Sequence, residues 1–210
     1  RRSSDLRVGE LKQVDNIFNS GEGIVSIVGI SGIGKTELTR KYVFEKQKAY
    51  DVIWFFDTNL DLKGQFQLLA RELNRVYGKN KVLIAEDLDF CVESTMLYIK
   101  SRNNWLFIFD NLGIGENDKI IEFINQSYNG RIIITSQDKS YLKNIINIGF
   151  LDYRISEGLI RKIYSNMTAD QTQQIYTSSH GYPLLMAQYS YLLRDSSDTA
   201  SLFLETGLNE

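Results

Sequence analysis

Gly29-Ile30-Ser31-Gly32-Ile33-Gly34-Lys35-Thr36 matches G-x-x-x-x-G-K-[ST] at every fixed position. The β-branched run Ile24-Val25-Ser26-Ile27-Val28 leads into it and a helical pattern follows, the strand-to-helix context in which this motif cradles phosphate. The chemistry demands these residue types. Glycines let the backbone turn so that successive N–H groups face phosphate oxygens. The helix that follows adds the positive end of its dipole. Lys35 is expected to reach the β- and γ-phosphates of a nucleotide, and Thr36 to give its hydroxyl to Mg²⁺. An ordinary glycine-rich turn is the plain alternative, and the agreement of the whole motif with its context argues against it.

Outward from the loop, short apolar runs alternate with helical periods. Val52-Ile53-Trp54-Phe55-Phe56, Trp105-Leu106-Phe107-Ile108-Phe109 and Ile132-Ile133-Ile134 read as strands buried on both faces, and Ile145, Ile146 and Ile148 as a weaker fifth. Phe66, Leu69, Ala70, Leu73, Val76 and Tyr77 mark one face of a helix, as do Leu88, Cys91, Val92, Thr95, Met96 and Ile99. Strand–helix alternation implies βαβ units and an α/β fold. After about residue 155 only helical spacing remains, so residues 1–155 are expected to form the phosphate-binding domain and 156–210 a small helical subdomain. His180-Gly181-Tyr182-Pro183 reads as a helix stop followed by a helix start, with His180 favoured at a helix C-terminus. Asp195-Ser196-Ser197-Asp198 reads as a turn or linker.

A Mg²⁺ ion beside a phosphate loop is usually held by an Asp at the end of a second buried strand. Asp110, after Leu106-Phe107-Ile108-Phe109, fits that description. The rival strand end, Asp57, runs into Thr58-Asn59-Leu60-Asp61, which looks like a surface loop.

Composition sets limits around this reading. The chain has 210 residues, 24 basic against 26 acidic, for a net charge of −2, and 43% are apolar. That balance argues against a nucleic-acid-binding arm. No apolar run approaches the ~18 residues of a membrane span. A single cysteine excludes an internal disulfide framework and fits a reducing, cytoplasmic compartment. The chain opens at Arg1-Arg2 without Met, so a fragment is expected, and residues 3–22 are too polar and interrupted for a signal peptide.

The order of motifs resembles the NB-ARC group of STAND nucleotide-binding switches, an AAA+-related class of signalling ATPases found in apoptosome-forming proteins, plant immune receptors and bacterial regulators. The resemblance covers residues 5–194. Arg7-Val8-Gly9-Glu10-Leu11 is similar to the family's R-x-x-E-L opening, with Leu6 where Gly is usual. Gly29 to Thr36 is the family's phosphate loop, and Tyr50-Asp51-Val52-Ile53-Trp54 resembles its second strand. Leu106 to Asn111 resembles its strand ending in Asp-Asp, and Gly130 to Asp138 its sensor strand. Gly181-Tyr182-Pro183-Leu184-Leu185 resembles its G-L-P-L-A helix start.

The resemblance implies a P-loop NTPase: a five-stranded parallel sheet of order 2-3-4-1-5, followed by a small C-terminal helical subdomain over the nucleotide. It implies ADP or ATP with Mg²⁺ as ligands. Catalysis would fall to Lys35, Asp110 and Asn111, and metal binding to Thr36 and Asp110. The nucleotide would be held by Arg7, Val8, Gly29, Ile30, Gly32, Ile33, Gly34, Lys35, Thr36, Glu37, Gln137 and Pro183, with residues 5–11 closing over the base and Pro183 meeting adenine or ribose. The strand ending at Thr135 would report the γ-phosphate near Ser136 and Gln137. Winged-helix, repeat-sensor and effector domains, expected as partners, are not visible within this chain, and nucleotide-dependent self-association is expected.

Two departures from the family pattern bear on activity. Asn111 stands where an acidic residue is a candidate to polarise the attacking water, and an amide cannot take a proton. Gln137 stands where a sensor Arg is usual; Arg131 lies at the wrong end of its strand. Tight binding with slow or absent hydrolysis is therefore expected. Three rivals remain. A GTPase is echoed by Asp110-Asn111-Leu112-Gly113 and by Thr135-Ser136-Gln137-Asp138, which lacks the second motif's Lys. A non-switching module stapled by ADP is a rival of another class. A small-molecule kinase would need an Arg-rich lid, and residues 156–194 hold only Arg161 and Arg194. Cys91 is expected in the core, and Lys46 and Lys48 on a solvated face.

Overall fold

Chains of β-branched and aromatic residues too apolar for one solvated face must be covered on both, and that requirement organises this protein. The computed structural model describes residues 7–102, 104–116, 118–124, 130–140 and 142–195. Leu6 and the linker residues Ser196, Ser197 and Asp198 lie outside them. The elements are α1 (Val8–Asn19), β1 (Ile24–Val28), α2 (Lys35–Lys46), β2 (Val52–Asp57), α3 (Leu62–Tyr77), α4 (Leu88–Lys100), β3 (Trp105–Leu112), α5 (Asp118–Ile124), β4 (Arg131–Ser136), β5 (Ile145–Asn147), α6 (Tyr153–Ile163), α7 (Ala169–Ser179) and α8 (Pro183–Asp195). Contacts divide them into two units: residues 11–29 with 35–147, and residues 7–10, 30–34 and 148–195.

The first unit holds a five-stranded sheet of order β2-β3-β4-β1-β5, the order the resemblance implies, and every pairing is parallel. β4 lies between β1 and β3, so the strand end at Thr135 is flanked by the phosphate-loop strand and the Asp110 strand. β3 is the apolar spine: Trp105 through Phe109 are all 0% exposed. Its outward neighbours are aromatic. Phe66 of α3 stacks on Phe56 at 4.5 Å and on Phe123 at 4.7 Å, and Phe56 stacks on Phe109 at 5.0 Å. Helices α3 and α4 begin at Asp61 and Asp87, whose side chains accept N–H bonds from the first helical turn. α4 buries Cys91, Thr95, Met96 and Ile99.

Two features depart from the sequence reading. Helix α1 occupies the stretch judged only too polar for a signal peptide, and buries Leu11, Val14 and Phe18 at helical spacing. β3 does not stop at Asp110 but runs two residues further, to Leu112. Phe109 pairs with Ile134 and Leu112 with Ser136, so β3 carries one more residue than β4 across this interval. That extra residue makes a bulge, and Asn111, with φ of 67°, takes the left-handed conformation Asn tolerates.

The second unit is helical from α6 to α8 around Leu151, Ile160, Met167, Ile175 and Met186. α7 opens with a reciprocal cap between Thr168 and Gln171 and ends at His180, in the left-handed conformation at φ 50°. Pro183 opens α8, where a missing N–H costs nothing.

Phe66→Ala should destabilise the chain by about 3–5 kcal/mol, as large-to-small aromatic changes in cores do, measurable as a lower denaturant midpoint. Gly181→Ala should also destabilise, because φ is 76° and an added Cβ would come within 2.2 Å of the Leu151 carbonyl oxygen.

Candidate functional site

In the unit with the sheet, β1 ends against the loop. Gly29 donates its N–H to the Ser136 carbonyl at 3.2 Å. Lys35, the first residue of α2, folds its ammonium back to the Gly29 carbonyl at 2.9 Å. Lys35 is buried, and burial pulls its pKa below the usual 10.5, with the negative charge of Asp110 pulling part of the way back. A cation held in this way gains from a polyanion nearby.

Asp110 is fixed at both ends. Its carbonyl accepts the Thr58 N–H and the Thr58 hydroxyl, each at 3.0 Å. Its carboxylate accepts from Thr36 Oγ1, which lies 3.0 Å from Oδ1 and 2.9 Å from Oδ2, and from Thr135 Oγ1. Thr135 Oγ1 in turn accepts the Asn111 N–H at 3.0 Å. The bulge therefore has a chemical purpose: one hydroxyl of β4 serves two successive residues of β3. Among the described residues no cluster of three or more His, Cys, Asp or Glu could hold a metal. A carboxylate and a hydroxyl within 3.0 Å of each other are nonetheless hard oxygen donors that fit Mg²⁺, which takes few protein ligands and completes its shell with phosphate and water.

At the end of β4, Ser136 is buried, its hydroxyl donating to the Leu112 carbonyl at 2.9 Å and accepting the Asp138 N–H at 3.0 Å. Gln137 is exposed. Asp138 accepts the N–H and hydroxyl of Ser140 at 3.0 and 2.8 Å, and these bonds hold its pKa below the usual range. A carboxylate holding its own turn is a poor base reader. Arg131 sits at the start of β4, where it donates to the carbonyls of Phe18 and Glu22 and covers the Phe18 ring. Asp57 pairs in register with Asp110, but its carboxylate holds the Asn59 N–H and side-chain amide at 3.0 Å, a turn-forming task.

In the other unit, Arg7 is 7% exposed, and one guanidinium nitrogen donates to the carbonyls of Ile33 at 2.8 Å and Gly149 at 2.7 Å. Its other terminal nitrogen pairs with Glu10 at 3.0 Å. Ile33 is buried and Ile30 is half exposed. Tyr182, before Pro183, donates its hydroxyl to the Ser31 carbonyl at 2.7 Å. Val8 is partly exposed at the start of α1. In the sheet-bearing unit, Glu37 of the first turn of α2 pairs with Arg40 on the surface.

The structure thus brings together Gly29 with Lys35, Thr36 with Asp110, and Arg7 with Ile33. Thr58, the bond from the Thr135 hydroxyl to Asp110 and the Tyr182–Ser31 bond are absent from the sequence reading of the site. The signals were faint: a hydroxyl closing the triple-Ile strand, and a Thr after the strand end that pairs with Asp110.

Comparison with known proteins follows the same lines. The family model for the NB-ARC domain matches residues 8–149. No curated protein sequence matches the chain significantly. Among solved structures, a Signal Transduction ATPase with Numerous Domains carrying a tetratricopeptide repeat sensor, from Pyrococcus horikoshii, superposes with a TM-score of 0.60 at 20% identity over 97% of this chain and 32% of its own. A Walker-type ATPase of Pyrococcus abyssi gives 0.67 at 12% identity, covering 94% of this chain and 70% of that one. The ORC1 protein of Aeropyrum pernix, solved with DNA, gives 0.61 at 11% identity over 95% and 60%. At such identities the likeness speaks for the fold. The chain spans about a third of the Pyrococcus horikoshii protein. No described helix is long and apolar enough to cross a membrane. With its family model matched across residues 8–149 and its sheet order in agreement, the chain belongs to the NB-ARC domain family.

Proposed function

We propose that this chain is the nucleotide-binding core of a larger signalling switch, holding ADP or ATP with Mg²⁺ and hydrolysing ATP slowly or not at all. The observation that carries the reading is the Thr36 hydroxyl within 3.0 Å of both Asp110 carboxylate oxygens, directly after Lys35. Lys35 offers its charge to the β- and γ-phosphates, and the loop N–H groups and the α2 dipole favour the same anion. Thr36 and Asp110 would hold Mg²⁺, which when bound neutralises charge on the phosphate oxygens. Asn111 follows Asp110 on the bulge, with an exposed side chain that has no basic oxygen to accept a proton from water. Gln137 is exposed and neutral, and supplies no charge to a transferring phosphoryl group. The strand inserted between β1 and β3 and the engaged Asp138 favour adenine over guanine chemistry.

In this reading ADP marks the resting state, exchange for ATP changes the conformation, and the change permits self-association. The other domains of the full-length protein would read that state. A ligand shifts a conformational equilibrium only by binding the two states differently, so ATP and ADP must differ in their contacts at the γ-phosphate.

The first test denatures the purified protein and identifies released nucleotide by chromatography, then follows exchange of labelled ATP. Release of ADP at near one per chain, followed by exchange with little phosphate production, supports the proposal. An empty protein that binds no adenine nucleotide refutes it, and a turnover typical of a working ATPase refutes its slow-hydrolysis part. Lys35→Ala should weaken ADP binding by roughly 10- to 100-fold, the scale of one hydrogen bond to a charged group, in a fluorescent-nucleotide titration. Asn111→Asp keeps the left-handed backbone and supplies a carboxylate, so single-turnover phosphate release should rise by roughly tenfold or more.

A further inference from the structure

We infer that Tyr182 and Arg7 are positioning residues that set the phosphate loop from outside, by fixing which way two of its peptide groups face. This rests on the nucleotide-binding reading of the loop and adds the device that orients it.

Tyr182 Oη donates to the Ser31 carbonyl at 2.7 Å, and Arg7 donates to the Ile33 carbonyl at 2.8 Å. Neither peptide bond is cis, so the N–H of each following residue points opposite to its carbonyl. The residues that follow are Gly32 and Gly34, both with positive φ, at 68° and 100°. Two side chains therefore draw alternate carbonyls of the loop to their own side and turn the Gly32 and Gly34 amides away. An anion-binding loop needs that alternation, because a carbonyl turned toward a phosphate oxygen would repel it.

Both clamps are built rather than incidental. The backbone beneath Tyr182 is tied down by its own N–H to Ser179 at 2.9 Å and by the Leu151 N–H to Gly181 at 2.9 Å. Phe150 meets the Tyr182 ring edge-on, with centroids 6.1 Å apart. A Cβ on Gly32 would lie 2.6 Å from Tyr182 Oη and 2.9 Å from Leu184 Cβ, so the close approach depends on a residue without a side chain. Arg7 is itself held at φ 58°, unusual for a residue other than Gly or Asn, with a buried guanidinium that also bonds Gly149 and Glu10. A Tyr here departs from the G-L-P-L-A pattern, so the hydroxyl clamp belongs to this chain's own sequence.

The test compares the full chain with Tyr182→Phe, which removes one oxygen, and with Arg7→Lys, which keeps charge but loses the planar donor set. Each is titrated with Mg-ADP and with Mg-pyrophosphate by competition against a fluorescent ADP, and its thermal midpoint is recorded. Tyr182→Phe should weaken pyrophosphate and ADP by the same factor, about three- to tenfold, the scale of a single neutral hydrogen bond, with the thermal midpoint nearly unchanged. Arg7→Lys should weaken both by at least as much. Equal factors place the effect on the phosphates rather than the base. Unchanged pyrophosphate affinity in Tyr182→Phe overturns the inference, as does an ADP-only loss, which would place the phenol at the base or ribose. A wild-type chain that binds neither ligand overturns the nucleotide-binding reading as well.

Discussion

Asp110 is held by both its backbone and its carboxylate, and that restraint is the constraint on which the rest of the site depends. Thr58 holds its backbone from the β2 side, Thr135 holds its side chain from β4, and Thr36 meets it from α2. Each partner arrives from a different element, so the placement exists only once the parallel order β2-β3-β4-β1 is complete. The bulge at Asn111 follows from the same demand. Thr135 can serve both Asp110 and the Asn111 amide only if β3 yields one residue of register, and Asn is among the few side chains that accept the conformation this requires. A bulge next to a reactive group is a recurrent way to aim a side chain without breaking a strand.

The opposite solution is used for Arg7. A buried guanidinium is costly unless its donors are satisfied, and here they meet two backbone carbonyls and a carboxylate. The left-handed backbone at Arg7 costs roughly 1–2 kcal/mol, which three charge-assisted hydrogen bonds offset. Such a residue holds its neighbours as firmly as it is held.

Much of this was legible in the sequence, and the boundary is physical. Helix α3 announces itself because its buried face is continuous, from Leu62 through Phe66, Leu69 and Leu73. The loop announces itself because glycine, lysine and threonine stand at fixed offsets within one short segment. The strand order came from the family resemblance, since periodicity alone does not order strands. Helix α1 carries the same kind of signal, Leu11, Val14 and Phe18 at helical spacing, but polar and charged residues fill the positions between them. Thr58, Thr135 and Tyr182 were hidden because their partners lie far along the chain, and a hydroxyl shows nothing of its acceptor until the fold is known. The extension of β3 past Asp110 was hidden for the same reason: polar residues read as a strand end unless the neighbouring strand supplies their hydrogen bonds.

The lone thiol of Cys91 gives the sheet-bearing unit a built-in clock. It is fully buried on α4, within the same cluster as Phe56, Phe66 and Trp105. A thiol reagent can reach it only when that cluster opens, so under mild conditions the labelling rate reports the free energy of that opening rather than chemical reactivity. Because the chain has one cysteine, the signal needs no deconvolution, and slowing of the reaction on adding a nucleotide would measure how much the ligand raises the free energy of that opening.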